Sequence, residues 1–361
     1  MRSAALGGTS RRSIDSNRRA IIQVWAIGAI VPLLLIWMAD IGKYDFSAFW
    51  IAARQALGGE AAAIYDAAAA QAQADQFTYG VGSIFPYPPH ALFFFIPFAL
   101  LPYIPGYIAW SLVTAPFFWW AARPYLPSGF PSMLAILTPA AIICMNFGQT
   151  GLLFGGLWLL AFRGKWAAVA LLTFKPHLGV LAALSLRSPN NFLRAIVLVL
   201  ALVAISAVLF EPSLWPAFLE NSSRHVGRII AGVRWQHAGV APAIAFGFWG
   251  AIPFAIAAGL LLVRRINAFT AATAALLISP YGFHYDMPVA CLGFGLMLYA
   301  NWANMPFVHR LPLALAFIAP VIAVGGVWFV PPILLWALWV QVKYDTGTFD
   351  GGGAWRNPER P

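Results

Sequence analysis

Residues 192–210 read FLRAIVLVLALVAISAVLF, an apolar run with a single charge, Arg194. An α-helix needs about 20 such residues to cross the hydrocarbon core of a bilayer, because each residue advances it by only ~1.5 Å. Two further blocks, Ala20–Ala39 and Val240–Val263, read the same way. Over the 361 residues, 61% are hydrophobic and 9% charged, with a mean hydropathy of +0.75. Soluble domains carry about a quarter charged residues, so this chain could not cover a water-facing surface. Sixteen Trp and 27 Pro suit interfacial belts and broken membrane helices. The expected fold class is an all-α polytopic membrane protein.

Working outward from that run, further apolar segments fall near 90–103, 106–121, 131–145, 149–162, 164–186, 268–279, 287–301, 309–325 and 327–342. Together they predict about ten to twelve transmembrane or re-entrant helices. The formal net charge of +10 is spread over short connections rather than gathered on one face, which speaks against a nucleic-acid partner. Arg2, Arg11, Arg12, Arg18 and Arg19 precede the first span, and the positive-inside rule then places the tail 1–19 in the cytoplasm. Arg163, Lys165, Arg187, Arg194, Arg264, Arg265, His309, Arg310 and Lys343 fit the same side. Residues 40–90 and 211–239 become outer loops, as does Ser279–Asp286. The expected organisation is one transmembrane domain over 20–343 with a disordered cytoplasmic tail, 344–361, in the inner (plasma) membrane of a bacterium. Within the first outer loop, Asp45–Leu57 and Ala61–Gln76 have helical composition and suit short interfacial helices against membrane lipids. Three apolar segments separate His90 from Asn146, both wanted outside, so one of them should be re-entrant or lie flat. Cys144 and Cys291 sit in apolar segments and read as free thiols.

Carboxylates are scarce, twelve in all, and Asp45 stands out among them. It follows the first span in Lys43-Tyr44-Asp45-Phe46-Ser47-Ala48-Phe49-Trp50, where aromatic neighbours would desolvate it and suit it to act as a general base. The plainer reading is a helix N-cap, and the two are compatible. Lys175, in Thr173-Phe174-Lys175-Pro176-His177-Leu178, interrupts an apolar run; such a residue faces a cavity or ligand, or else snorkels from a helix end. Arg224, His225, Arg228, Arg234 and His237 put positive charge on the outer side, against the orientation rule. Phosphate recognition by Arg224 and Arg228 explains that placement, with an amphipathic helix touching anionic headgroups as the alternative. Three polar, Gly- or Pro-marked breaks supply candidate substrate contacts: Tyr87 and His90 in Phe85–His90, Gln149 in Asn146–Gly151, and Tyr281, His284, Tyr285 and Asp286 in Ser279–Asp286. His177 joins them beside Lys175. No Walker loop, dinucleotide motif or zinc spacing occurs, so neither a metal nor a cofactor is expected.

At these positions the chain resembles glycosyltransferase family 87, within the GT-C superfamily and also catalogued as a domain of unknown function. The resemblance runs from about Tyr44 to about Leu298. It is carried by Asp45–Trp50, Ile64-Tyr65-Asp66, Tyr87–His90, Gly148-Gln149, Phe174–Gly179 and Ser279-Pro280-Tyr281 with Tyr285-Asp286. It implies a GT-C-type helix bundle with its active site on the extracytoplasmic side. The implied donor is a polyprenyl-phosphate sugar, the acceptor a lipid or glycan, and the reaction an inverting hexosyl transfer. The family's catalytic carboxylate falls on Asp45, and mannose is the default sugar. The last motif departs from the mannosyltransferase branch in lacking its Trp and paired His. Lys175 and the outer arginines would hold the leaving phosphate. The rival readings are a secondary transporter or flippase of a lipid-linked or anionic substrate, which broken helices also suit, and a structural membrane protein.

Overall fold

The computed structural model describes residues 21–30, 32–34, 45–75, 85–230, 238–323 and 327–345. The expectations placed on the two termini, on 35–44 and on 231–237 lie outside the described residues. Among those described the protein is an all-α polytopic membrane protein without strands. One isolated antiparallel bridge, Gly239 with Phe283, is the sole extended pairing among them.

The helices are α1 (Asp45–Leu57), α2 (Ala67–Asp75), α3 (Leu92–Ala99), α4 (Tyr103–Ala122), α5 (Pro139–Phe147), α6 (Gly151–Phe162), α7 (Trp166–Leu171) and α8 (Pro176–Gly179). They continue as α9 (Pro189–Phe210), α10 (Leu214–Ile230), α11 (Pro242–Leu262), α12 (Ala268–Ile278), α13 (Pro288–Asn301), α14 (Phe307–Ile322) and α15 (Val330–Tyr344). Proline opens α5, α8, α9, α11 and α13, where its missing N–H costs nothing. Asn267 caps α12 by accepting from the backbone of Phe269 and Thr270, and Thr270 answers the Asn267 N–H.

Among the described residues two helices, α9 and α11, are long and apolar enough to cross a membrane by themselves. Their side chains face outward: Val208 is 82% and Trp249 80% exposed, which is tolerable only where lipid supplies the solvent. Most other apolar segments fall close to their expected bounds, α4 running to 20 residues, but proline and glycine cut some of them. The expected 164–186 segment breaks into α7, a 3-10 turn at Leu172–Phe174, α8 and a second 3-10 stretch, Val180–Ser185. Gly247, at φ 71°, kinks α11. The segments at 90–103 and 106–121 bend by 112° at residues 100–102, forming either a broken span or a re-entrant loop. That bend is the kind of irregularity that the His90–Asn146 stretch requires. Of the two short helices after the first span, α1 packs deeply, with Phe46, Phe49 and Ala53 buried against α3, while α2 keeps Gln71 and Asp75 exposed.

Candidate active site

The site is built where three chain breaks meet the first residue of α1. Gly148 ends α5 in the left-handed region at φ 64°, and a Cβ there would sit 2.7 Å from that of Phe46. The turn it makes brings Gln149 round, with its backbone N–H donating to the Cys144 carbonyl at 2.9 Å. The Gln149 carbonyl in turn accepts from Trp110 Nε1 at 3.3 Å. Held on both sides, Gln149 sends its side-chain Nε2 to Asp45 Oδ2 at 2.8 Å, across 104 residues of sequence. Asp45 is half-buried. Burial pushes its carboxyl above the usual carboxylate range, and the Gln149 hydrogen bond pulls it partly back. Among the described residues its carboxylate meets Gln149 and no first-turn amide, so the cap reading finds no hydrogen bond here.

A second cluster lies one residue further along the same break. Lys175 Nζ and Asp286 Oδ1 are 2.5 Å apart, with side chains 3% and 1% exposed. The proline after Lys175 interrupts the helix and turns this ammonium inward rather than toward a helix end, so it does not snorkel. Asp286 Oδ2 accepts from the Phe283 backbone N–H at 3.0 Å, which fixes the carboxylate in its own turn. Thr150 Oγ1 bonds the Tyr87 hydroxyl at 2.8 Å and stands 3.4 Å from Lys175 Nζ. The rings of Tyr87 and Tyr285 face the same ammonium, with centroids at 5.5 and 5.6 Å. Of two consecutive residues, Gln149 therefore touches Asp45 and Thr150 touches the lysine of the buried pair. Gly151 makes this possible: an added Cβ would meet the Tyr285 carbonyl oxygen at 1.8 Å.

The other candidates divide. His177 packs on Tyr281 with ring centroids 3.9 Å apart, beside Lys175. His90 is buried, stacks on Trp215 of α10 at 5.7 Å, and lies 3.2 Å from Thr173 Oγ1. His284 is buried against Phe147 and Tyr285, and burial lowers its imidazole to about 4, keeping it neutral. Arg224 stands apart: it is exposed on α10 and ion-paired with Glu220 one turn earlier. The Arg228 side chain lies outside the described residues. Thr150, Thr173 and Trp215 join the site without being conspicuous in the sequence; Thr150 carries a signal, as a hydroxyl in a polar break, whereas the other two carry none. Among the described residues no three His, Cys, Asp or Glu side chains gather as a metal site would need.

The family model of glycosyltransferase family 87 matches the chain over residues 85–298. No curated protein and no solved structure matches.

Proposed function

The chain belongs to glycosyltransferase family 87 and is a membrane glycosyltransferase, and on that premise we propose that Asp45 is its general base. The reaction we infer is inverting transfer of a hexose, mannose by default, from a polyprenyl-phosphate sugar to a lipid or glycan acceptor. The face of the bacterial inner membrane on which it proceeds is, in this reading, the extracytoplasmic one. The observation that carries it is the half-buried Asp45 carboxylate, held through one oxygen by Gln149 and free to use the other.

In this reading Asp45 Oδ1 takes the proton of an acceptor hydroxyl as that oxygen attacks the anomeric carbon. The bond from that carbon to the phosphate oxygen breaks on the opposite face, and its electron pair leaves with the polyprenyl phosphate. Lys175 has three N–H groups: Asp286 and Thr150 take two, and the third, beside the Tyr87 hydroxyl, is the one this reading gives to a phosphate oxygen. The Lys175–Asp286 pair carries no net charge, so this reading assigns the net positive charge for the leaving phosphate to Arg224 and Arg228. Arg224 must exchange Glu220 for the donor, a light cost for an exposed pair.

The test is Asp45→Asn, expressed in a deletion strain whose lipid-linked glycans are followed by mass spectrometry. Asparagine keeps the size and the contact to Gln149 while removing the basic oxygen. Transfer should fall by roughly 10²–10⁴-fold. Asp66→Asn is the control, because Asp66 accepts from the Ala68 and Ala69 amides at the start of α2 and serves only as a cap. Wild-type transfer by Asp45→Asn would refute the assignment.

A further inference from the structure

The side chain that holds Asp45 has an unmet need of its own. Gln149 is 6% exposed, and its Oε1 is buried without a hydrogen-bond partner among the described residues. The amide cannot turn over to relieve this, because only its NH₂ can face a carboxylate and Nε2 already donates to Asp45 Oδ2 at 2.8 Å. Nor can the residue swing away, because its backbone is fixed by Cys144, by Trp110 and by the left-handed Gly148. The result is two hydrogen-bond acceptors, Asp45 Oδ1 and Gln149 Oε1, on two side chains joined by one hydrogen bond. Both ask for a donor, and neither has one from the described residues.

We propose that Gln149 Oε1 accepts a second hydroxyl of the acceptor substrate, making that acceptor a vicinal diol of the kind a sugar ring presents, not a lone alcohol. This rests on the transferase reading of Asp45. The hydroxyl that reacts gives its proton to Asp45, and its neighbour on the adjoining carbon donates to Gln149. A simple alcohol brings one O–H and leaves Oε1 stranded, which costs about ten-fold or more in affinity. A diol fills both acceptors at once. Gln149 is then a specificity-determining residue as well as the one that positions the base.

The experiment uses the full-length protein in lipid nanodiscs. Dicyclohexylcarbodiimide modifies Asp45 in its protonated form, and peptide mass spectrometry follows the rate. The probes are the methyl α-pyranosides of mannose, glucose and galactose, each compared with its own monodeoxy derivatives. At least one parent glycoside should protect Asp45, and removal of one particular hydroxyl should weaken that protection roughly ten-fold. In Gln149→Met the parent and that deoxy sugar should protect alike. An unchanged unfolding midpoint in Gln149→Met separates loss of recognition from loss of folding. The proposal is overturned if no glycoside protects, if every deoxy sugar protects as well as its parent, or if Gln149→Met discriminates like wild type. Transfer by Asp45→Asn, measured alongside, tells the failures apart. Full transfer there removes the base and the diol together, whereas lost transfer with an undiscriminating wild-type protein removes the diol alone.

Discussion

The Lys175–Asp286 pair gives the sharpest stability prediction. Both side chains are nearly inaccessible and their charged atoms are 2.5 Å apart, so deleting one partner strands the other in a medium that solvates it poorly. In Lys175→Met the Asp286 carboxylate retains the Phe283 amide as its hydrogen bond, and the cost should be about 3–5 kcal/mol. Asp286→Asn should cost less, because asparagine still offers an oxygen to Lys175 and the ammonium keeps the rings of Tyr87 and Tyr285. The double variant, Lys175→Met with Asp286→Asn, strands no charge and should lie below the sum of the singles by roughly 1–3 kcal/mol. Unfolding in detergent micelles, followed by tryptophan fluorescence, measures all three. Costs that add to within about 0.5 kcal/mol would show that the two residues do not interact as described. Transfer provides a second readout: the double variant should regain stability yet stay impaired, since the N–H assigned to the donor phosphate is gone. A double variant that transfers at the wild-type rate would remove Lys175 from phosphate binding.

Burial holds the Asp45 carboxyl above its ordinary value near 4, and a base works only when deprotonated, so kcat/KM should fall as pH drops through that raised value. Gln149→Met removes the N–H that opposes the shift and should move the acid limb of the profile to still higher pH. Gly151→Ala drives a methyl group into the Tyr285 carbonyl and should destabilise the protein by ~3 kcal/mol or more, read as a lowered unfolding midpoint. Glu211 closes α9 at φ 107°, a conformation that only glycine adopts freely, so Glu211→Gly should raise stability by about 1 kcal/mol.

The lipid-spanning character of the chain was legible because it is a bulk property: runs such as 192–210 are apolar on every face and need no partner to be recognised. Helix breaks were legible where the breaker is explicit, as at Lys175-Pro176 and Gly148. The 112° bend was not, since residues 100–102 contain Pro102 but nothing that sets an angle, and α1, which packs against both arms, is distant in sequence. In the site, Asp45 and Lys175 were conspicuous as charges in apolar surroundings. That Lys175 would be matched by Asp286, 111 residues away, was not readable, because spacing along the chain carries no information about contacts between separate helices. Arg224 was conspicuous as positive charge on the outer side, yet it forms a pair within its own helix and not with the buried cluster.

The bend between α3 and α4 also bears on how the protein is made. α3 has eight residues, about 12 Å of helix, too short to be released into the bilayer as an independent span. The Ile96 and Phe98 carbonyls are met by the Leu100 and Leu101 amides, while two others at the bend find donors on α1: Arg54 Nη1 reaches the Ala99 oxygen at 3.3 Å, and Trp50 Nε1 the Leu101 oxygen at 3.1 Å. In hydrocarbon each unmet carbonyl would be a heavy liability. Because α1 precedes α3 in the chain, those two donors leave the ribosome first and are already waiting when the bend emerges. The two donors that this bend uses are thus made before it.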